Sequence, residues 1–439
     1  MPAGSSRCGR CEKSSLACTI SRHQPRTGRP PNRGLPGVSK GSLGVWDYAM
    51  TQEIQESPEE SETTPSNGTD DGGLSPSNPK HALFSRLPVE DFYILNDVYM
   101  FGSSFASDFY QALEYCHHHS PNLLDEIFIA LGSSLSWARF GLLTADQVDI
   151  SSGAASIEKL RNAVINHSHD ALAVLMLGQA LAAFDSLVTS AGTISILRCS
   201  LSLVQPWYTE IAQIKFLDPI TIAPIFWDTV WCLLHREVPV IPPVIDRAGV
   251  IDRVAGLCPS LLPILYDLCV ASSQMKHGSA EETDLTAIEQ RIRDWSPDDT
   301  GLCLETYSKF EVLLIRTQAM MYRTASLLLV HRLRHPSMRE DATATRLAND
   351  ILDARTNFLD HAGANEKLQN VCFPLFLALL EVPVTLEGLW ESSTRLRSRP
   401  ACVDQLFAFQ SYFWEKRKAG FSGSLWDIID NGPEFVPVP

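Results

Sequence analysis

A disulfide pattern, a leader, a clean membrane span, strand alternation and the common catalytic signatures are all missing or scarce in this 439-residue sequence. Its 11 cysteines are mostly single and set in apolar runs, as at Cys199, Cys232, Cys258, Cys269, Cys303 and Cys372, which excludes a disulfide framework and predicts reduced, buried, small side chains. The N-terminus is polar and basic without an apolar h-region, so no secretory signal is expected. The longest apolar run, Ala171 to Val188, is broken by Gly178, Gln179 and Asp185, and no membrane partner is expected. A soluble intracellular protein follows.

Enzyme signatures are equally scarce. There is no glycine-rich phosphate loop followed by Lys-Ser/Thr, no His-Glu-x-x-His and no Gly-x-Ser-x-Gly, and Phe421 to Ser424 reads as a turn. His235-Arg236-Glu237, just before Pro239, reads as a helix end with cap and surface pairs rather than an acid/base group. His117-His118-His119 point in different directions on a helix and read as a polar helix end rather than a metal site. A non-enzyme is expected, with a helical enzyme of unrecognised site as the remote alternative.

What is present is charge, and it is segregated. The chain has 36 Lys and Arg against 51 Asp and Glu, a net charge of −15, so nucleic-acid binding over the whole surface is excluded and any such contact is local. Residues 1 to 40 hold eight Lys/Arg and one acid, whereas 41 to 79 hold eight acids and no Lys or Arg. From Gly34 to Pro79 the chain is rich in Ser, Pro, Gly, Thr, Asp and Glu, has few large apolar side chains and no apolar heptads. Such a segment cannot bury enough surface to offset its ordering entropy, so a disordered acidic linker is expected at 34–82.

Beyond Leu83 the apolar spacing is helical and no fixed repeat appears. Helices are expected from Pro88, over Phe109 to Tyr115, and over Leu123 to Leu142. They continue from Ala154 to Thr189, with Val164 in the core stripe, and from Ile194 to Tyr208, closed by Pro206-Trp207. A helical face follows at Trp227, Val230, Trp231 and Leu234 after prolines 219 and 224, and Val250 to Met275 reads as a helix kinked at Pro259 and Pro263. The clearest helix is Leu304 to His335, with Met320 among its apolar residues and Arg332, Arg334 and His335 in the last turn as the helix dipole favours. Leu285 to Trp295, Thr343 to Ala362, Leu375 to Arg397 and Val403 to Lys418 complete the set.

The N-terminal stretch carries the chemistry. Cys8, Cys11 and Cys18 have a spacing that lets three thiolates hold one zinc ion, against the plain alternative of three incidental cysteines in a tail. Flanking cations favour thiolates. Arg7, Arg10, Lys13, Arg22, Arg26, Arg29 and Arg33 are candidate DNA-phosphate contacts, which position a protein without reading sequence. Thr27 to Pro31 also resembles the Arg-Gly-Arg-Pro core of minor-groove hooks, although Thr27 stands at its first arginine.

Cys8-x2-Cys11-x6-Cys18 followed by the basic Gly28-Arg29-Pro30 linker resembles the second half of the fungal zinc binuclear cluster. Phe226 to Pro239, Val254 to Cys269 and His331 to Pro336 are similar to stretches in the acriflavine-sensitivity-control type of fungal regulator, so the likeness runs from Cys8 to about Trp414. The resemblance implies six cysteines around two zinc ions, a nuclear location and control of metabolic or secondary-metabolite genes. This sequence carries one cysteine triplet. Either an upstream exon supplies the other, which is the favoured expectation, or the cluster is lost and the protein works through partners.

The expected fold is mainly α: a disordered N-terminal tail with a partial zinc cluster, then a large all-helical regulatory domain. Expected domains are 1–33, the partial cluster with its basic tail; 34–82, the linker; and 83–435, the helical domain. Zinc is the expected cofactor. Expected partners are promoter DNA and co-regulator proteins or a small-molecule effector, and the chain is expected as a monomer or as a homodimer made through the helical domain.

Overall fold

The computed structural model describes residues 89–244, 249–278, 282–297, 304–336, 341–362, 366–383 and 396–437. Segments 1–33 and 34–82 lie outside these residues, as do Cys303 and residues 384–395 of the expected Leu375 to Arg397 helices. Among the described residues there are fourteen α-helices and no strand; an isolated bridge joins Asp252 and Gly256. The mainly α expectation holds.

The first layer comprises α1 (Val89–Asn96), α2 (Ala106–His119), α3 (Pro121–Leu135), α4 (Ile150–Arg161), α5 (Ser168–Val188) and α6 (Thr193–Ile211). It is built around α5, which touches α2, α3, α4 and α6. Sixteen of the 21 residues of α5 are buried, so this helix, apolar on all sides, is a core element, although its length and apolarity would also span a membrane. Gly178 permits its close approach to α6, since a Cβ there would lie 2.1 Å from Ser200 Cβ. Asp185 closes the connection: its Oδ2 accepts from Gly192 N at 2.9 Å and Thr193 Oγ1 at 2.7 Å.

The central helix α7 (Asp218–His235) leads into α8 (Leu262–Lys276), α9 (Glu282–Asp294), α10 (Lys309–Arg334), α11 (Ala342–Ala362) and α12 (Cys372–Glu381). Here α10 is the axis, packed by α8, α9, α11 and α12, while α7 touches α2, α5, α6 and α8 and so joins the two layers. Phe226 of α7 meets Tyr322 of α10 at 5.0 Å between ring centroids, and Tyr322 meets Phe373 of α12 at 5.6 Å. Truncating one such buried ring to Ala costs about 3–5 kcal/mol. Finally α13 (Ala401–Lys418) lies against α5 and α12, and α14 (Leu425–Asn431) against α7.

Several boundaries differ from the sequence expectation. Helix α6 does not close at Pro206 but runs through it to Ile211. Pro206 is on the exposed face, where the carbonyl that lacks an amide partner faces solvent, while buried Tyr208 and Ile211 hold the last turn to the core. Helix α7 starts at Asp218, well before Trp227, because Pro219 occupies its first turn and Pro224 is accommodated inside it. The stretch expected to be helical from Val250 begins its helix only at Leu262, and residues 250–257 form a tight turn. A break at 162–167 separates α4 from α5, so Val164 is 73 % exposed rather than in the core. Met320 and Cys199 are also exposed, and α14 follows the expected Phe421 to Ser424 turn in a stretch for which no helix was expected.

Candidate functional site

Cys8, Cys11, Cys18, Arg7, Arg10, Lys13, Arg22, Arg26, Arg29 and Arg33 all lie outside the described residues. Among the described residues no group of three or more His, Cys, Asp or Glu side chains is arranged to hold a metal ion. His117 Nε2 pairs with Asp125 Oδ1 at 2.7 Å, while His119 Nδ1 bonds the Tyr115 carbonyl at 2.8 Å. These are helix-end contacts.

The seven described cysteines are all free. Burial pushes the thiols of Cys116, Cys232, Cys258 and Cys402 well above the ordinary range and that of Cys372 up to about 12, which makes them poor nucleophiles and metal ligands at neutral pH.

A first cleft, of about 580 Å³, opens beside the C-terminal half of α7 and is crossed by residues 432–436. His235 packs between Trp231 at 4.3 Å and Phe435 at 5.6 Å. Its Nδ1 bonds the Trp231 carbonyl at 3.0 Å, and burial lowers its pKa below the usual imidazole value. Arg198 lies 5.1 Å from the Trp231 ring centroid and donates to Glu237 Oε2 at 2.6 Å and Val238 O at 3.1 Å, with Asp228 Oδ1 at 3.6 Å. Arg236 ends the helix in the left-handed conformation, φ 54°, and donates to Asp430 Oδ2 at 3.1 Å. The His235-Arg236-Glu237 stretch is thus a helix end with cap and surface pairs, and its main cations are already matched by acids.

A second cleft, of about 850 Å³, is larger. It lies where the start of α2, the start of α7 and the 249–253 turn meet, with the aromatic rings of Phe105, Phe216 and Tyr307 among its walls. At its base sit Asp252, 2 % exposed, and Arg253, 3 % exposed. Asp252 Oδ1 accepts from Val254 N at 2.8 Å and Ala255 N at 2.7 Å, whereas Oδ2 is buried with no hydrogen-bond partner among the described residues. Arg253 Nε donates to Pro219 O at 3.0 Å, and its guanidinium lies 4.1 Å from the Phe109 ring centroid. Arg253 makes no ion pair among the described residues. Burial raises the Asp252 carboxyl above the usual range and lowers Arg253 to about 10.

The turn that presents this pair is held from behind. Asp252 and Gly256 exchange two backbone hydrogen bonds of 2.9 Å, Gly256 adopts φ +57°, and Gln318 Nε2 of α10 donates to Val254 O at 2.8 Å and Asn370 O at 3.1 Å. Both clefts are lined partly by residues of α7 and its flanks, but Asp252 and Arg253 were not singled out by sequence. The available signal was the bracketing of an Asp-Arg pair by Gly249 and Gly256 after a proline-rich connection, a pattern of turn rather than helix.

No curated protein and no solved structure matches the chain. Residues 179–381, from the middle of α5 to the end of α12 and including both clefts' α7 residues, match the family model described as a fungal specific transcription factor domain, a likeness that supports a fungal transcription regulator rather than an enzyme.

Proposed function

We propose that the protein is a nuclear, DNA-binding regulator of RNA polymerase II transcription that controls metabolic or secondary-metabolite genes. The observation that supports this reading best is the family match over residues 179–381, which falls on the α5, α7 and α10 core. In this reading 83–435 is the regulatory domain, 34–82 its acidic linker, and 1–33 the DNA-contacting segment. Cys8, Cys11 and Cys18 are suited to zinc by ligand chemistry, but three thiolates leave a tetrahedral ion one donor short, so the cluster requires further ligands from upstream sequence or a second chain. Arg7, Arg10, Lys13, Arg22, Arg26, Arg29 and Arg33 would then contact phosphates.

Metal analysis with a gel shift on genomic promoter fragments tests the proposal. Zinc in the purified protein, lost in Cys11→Ser, together with DNA binding that weakens steeply with salt, is the expected result. A second reading, a co-regulator acting by protein contact, is favoured by the run of eight acids without Lys or Arg over residues 41 to 79. Zinc-free protein with no salt-sensitive DNA binding selects it.

A further inference from the structure

A buried ring is usually carried by a helix or strand whose own backbone is hydrogen-bonded, as Phe376 on α12 and Phe409 on α13 are. Phe435 is not. It is 3 % exposed, yet it belongs to the irregular stretch 432–437, for which there is no backbone–backbone hydrogen bond among the described residues. Pro433 and Pro437 lack an amide donor, and each biases the residue before it toward extended backbone. Side chains therefore hold the stretch in place. The Phe435 ring lies 4.3 Å from that of Phe409, 4.7 Å from Phe376 and 5.6 Å from His235 between centroids, and Val436 and Pro437 are buried as well.

At the root of this strap Gly432 fits closely. A Cβ there would stand 2.6 Å from Ile428 O and 3.1 Å from the Phe409 ring, so the chain enters the groove at a position that has no side chain. The groove is also wider than its occupant. Residues 432–436 cross the cleft of about 580 Å³ without filling it, and Trp231, stacked on His235, extends the aromatic floor made by Phe376 and Phe409. Lifting the strap breaks no backbone hydrogen bond among the described residues, which places it at the low-stability end of the fold. It also uncovers a contiguous aromatic surface of the kind that soluble proteins keep covered or use for binding.

We propose that the groove between α12, α13 and the end of α7 is a docking site for an extended partner peptide that carries an aromatic residue followed by an aliphatic one, and that residues 432–437 occupy it as a releasable strap. Phe435 and Val436 define that pattern in the present occupant. The strap's advantage is its tether, which raises its local concentration. A partner with bulkier side chains gains from the volume that the strap leaves open. Exchange of one for the other makes the helical domain a protein-binding module. Docking uses neither zinc nor DNA, so it fails separately from the regulatory reading of the N-terminal segment.

The test is fluorescence anisotropy of a labelled peptide of residues 430–437, Asp-Asn-Gly-Pro-Glu-Phe-Val-Pro, titrated with the full chain. Phe435→Ala in the protein removes the strap's anchor. Where circular dichroism shows that this variant unfolds, Gly432→Ala replaces it, since it keeps every core ring and crowds only the strap's root. The folded variant is expected to bind the peptide at least ten-fold more tightly than the natural protein does, and the same peptide carrying Phe435→Ala is expected not to bind. No binding to the folded variant overturns the proposal, as does affinity equal to that of the natural protein or binding that survives loss of the peptide's Phe.

Discussion

Arg332 of α10 and Glu381, the last residue of α12, form a two-armed ion pair inside the core. Arg332 Nε donates to Glu381 Oε1 at 2.6 Å, Nη2 reaches Oε2, and the side chains are 1 % and 3 % exposed. The arginine that the sequence placed in a helix's last turn for its dipole is therefore a tether between two helices of the second layer.

Removing one partner of that pair strands the other. Arg332→Met is expected to cost about 3–5 kcal/mol, whereas Arg332→Met with Glu381→Leu recovers much of it because no buried charge remains. Urea denaturation followed by circular dichroism checks this, and equal stabilities for the single and double variants would show that the charge is not what matters.

Glu311 ties the start of α10 to the cleft wall. It accepts from Ser104 N at 2.9 Å, Ser104 Oγ at 2.7 Å and Ser308 N at 2.8 Å. Burial alone would raise its pKa, but these bonds outweigh it and hold the carboxyl below the usual 4.5. Its folded pKa is thus depressed, so its contribution is complete above the usual 4.5 and is lost as pH falls from there through the folded pKa. Glu311→Gln should lose about 1.5–3 kcal/mol at neutral pH, and its deficit should shrink in acid. Melts at neutral and acid pH measure both terms.

Gly256 is fixed by its surroundings. At φ +57° a side chain is strained, and a Cβ would stand 2.5 Å from Gln318 Oε1, whose amide is held by two carbonyls. Gly256→Ala is expected to cost about 1–3 kcal/mol and to disturb the turn that carries Asp252 and Arg253. Thermal melts read the cost, and an unchanged melt would mean that the turn relaxes freely.

The elements most legible in the sequence were those whose apolar spacing settles helix and burial together. Leu314, Leu328 and Val330 mark α10 and Phe409 and Phe413 mark α13, and the structure buries all five. Prolines misled in both directions. Pro206 and Pro224 each remove a backbone donor, a local signal to stop, yet tertiary packing of Tyr208, Ile211 and the whole of α7 carries the helix through. Pro259 and Pro263 seemed mere kinks, but the chain before them is a turn set by Gly256 and by Asp252 bonding its own following amides. The cleft was illegible for a related reason: its rings come from Phe105, Phe216 and Tyr307, far apart in sequence, and only the fold brings them beside Arg253.

His235 carries a pH dependence whose sign is set by burial. Desolvation lowers its pKa below 6.5, against the opposing pull of its bond to Trp231 O and of nearby Glu237 and Asp430. As pH falls below 6.5 the unfolded chain takes up a proton that the folded chain resists, so the stability linked to His235 is complete above that value and declines toward the folded pKa. His235→Phe keeps a ring between Trp231 and Phe435 but cannot titrate. Its stability relative to the natural protein should therefore rise as pH drops from 7 to 5. Asp228, whose carboxyl burial raises, titrates with the opposite sign in both proteins and cancels to first order in the difference. Urea melts of the two proteins at pH 5, 6 and 7 decide the point, and parallel profiles would mean that the imidazole protonates equally well in the folded cleft.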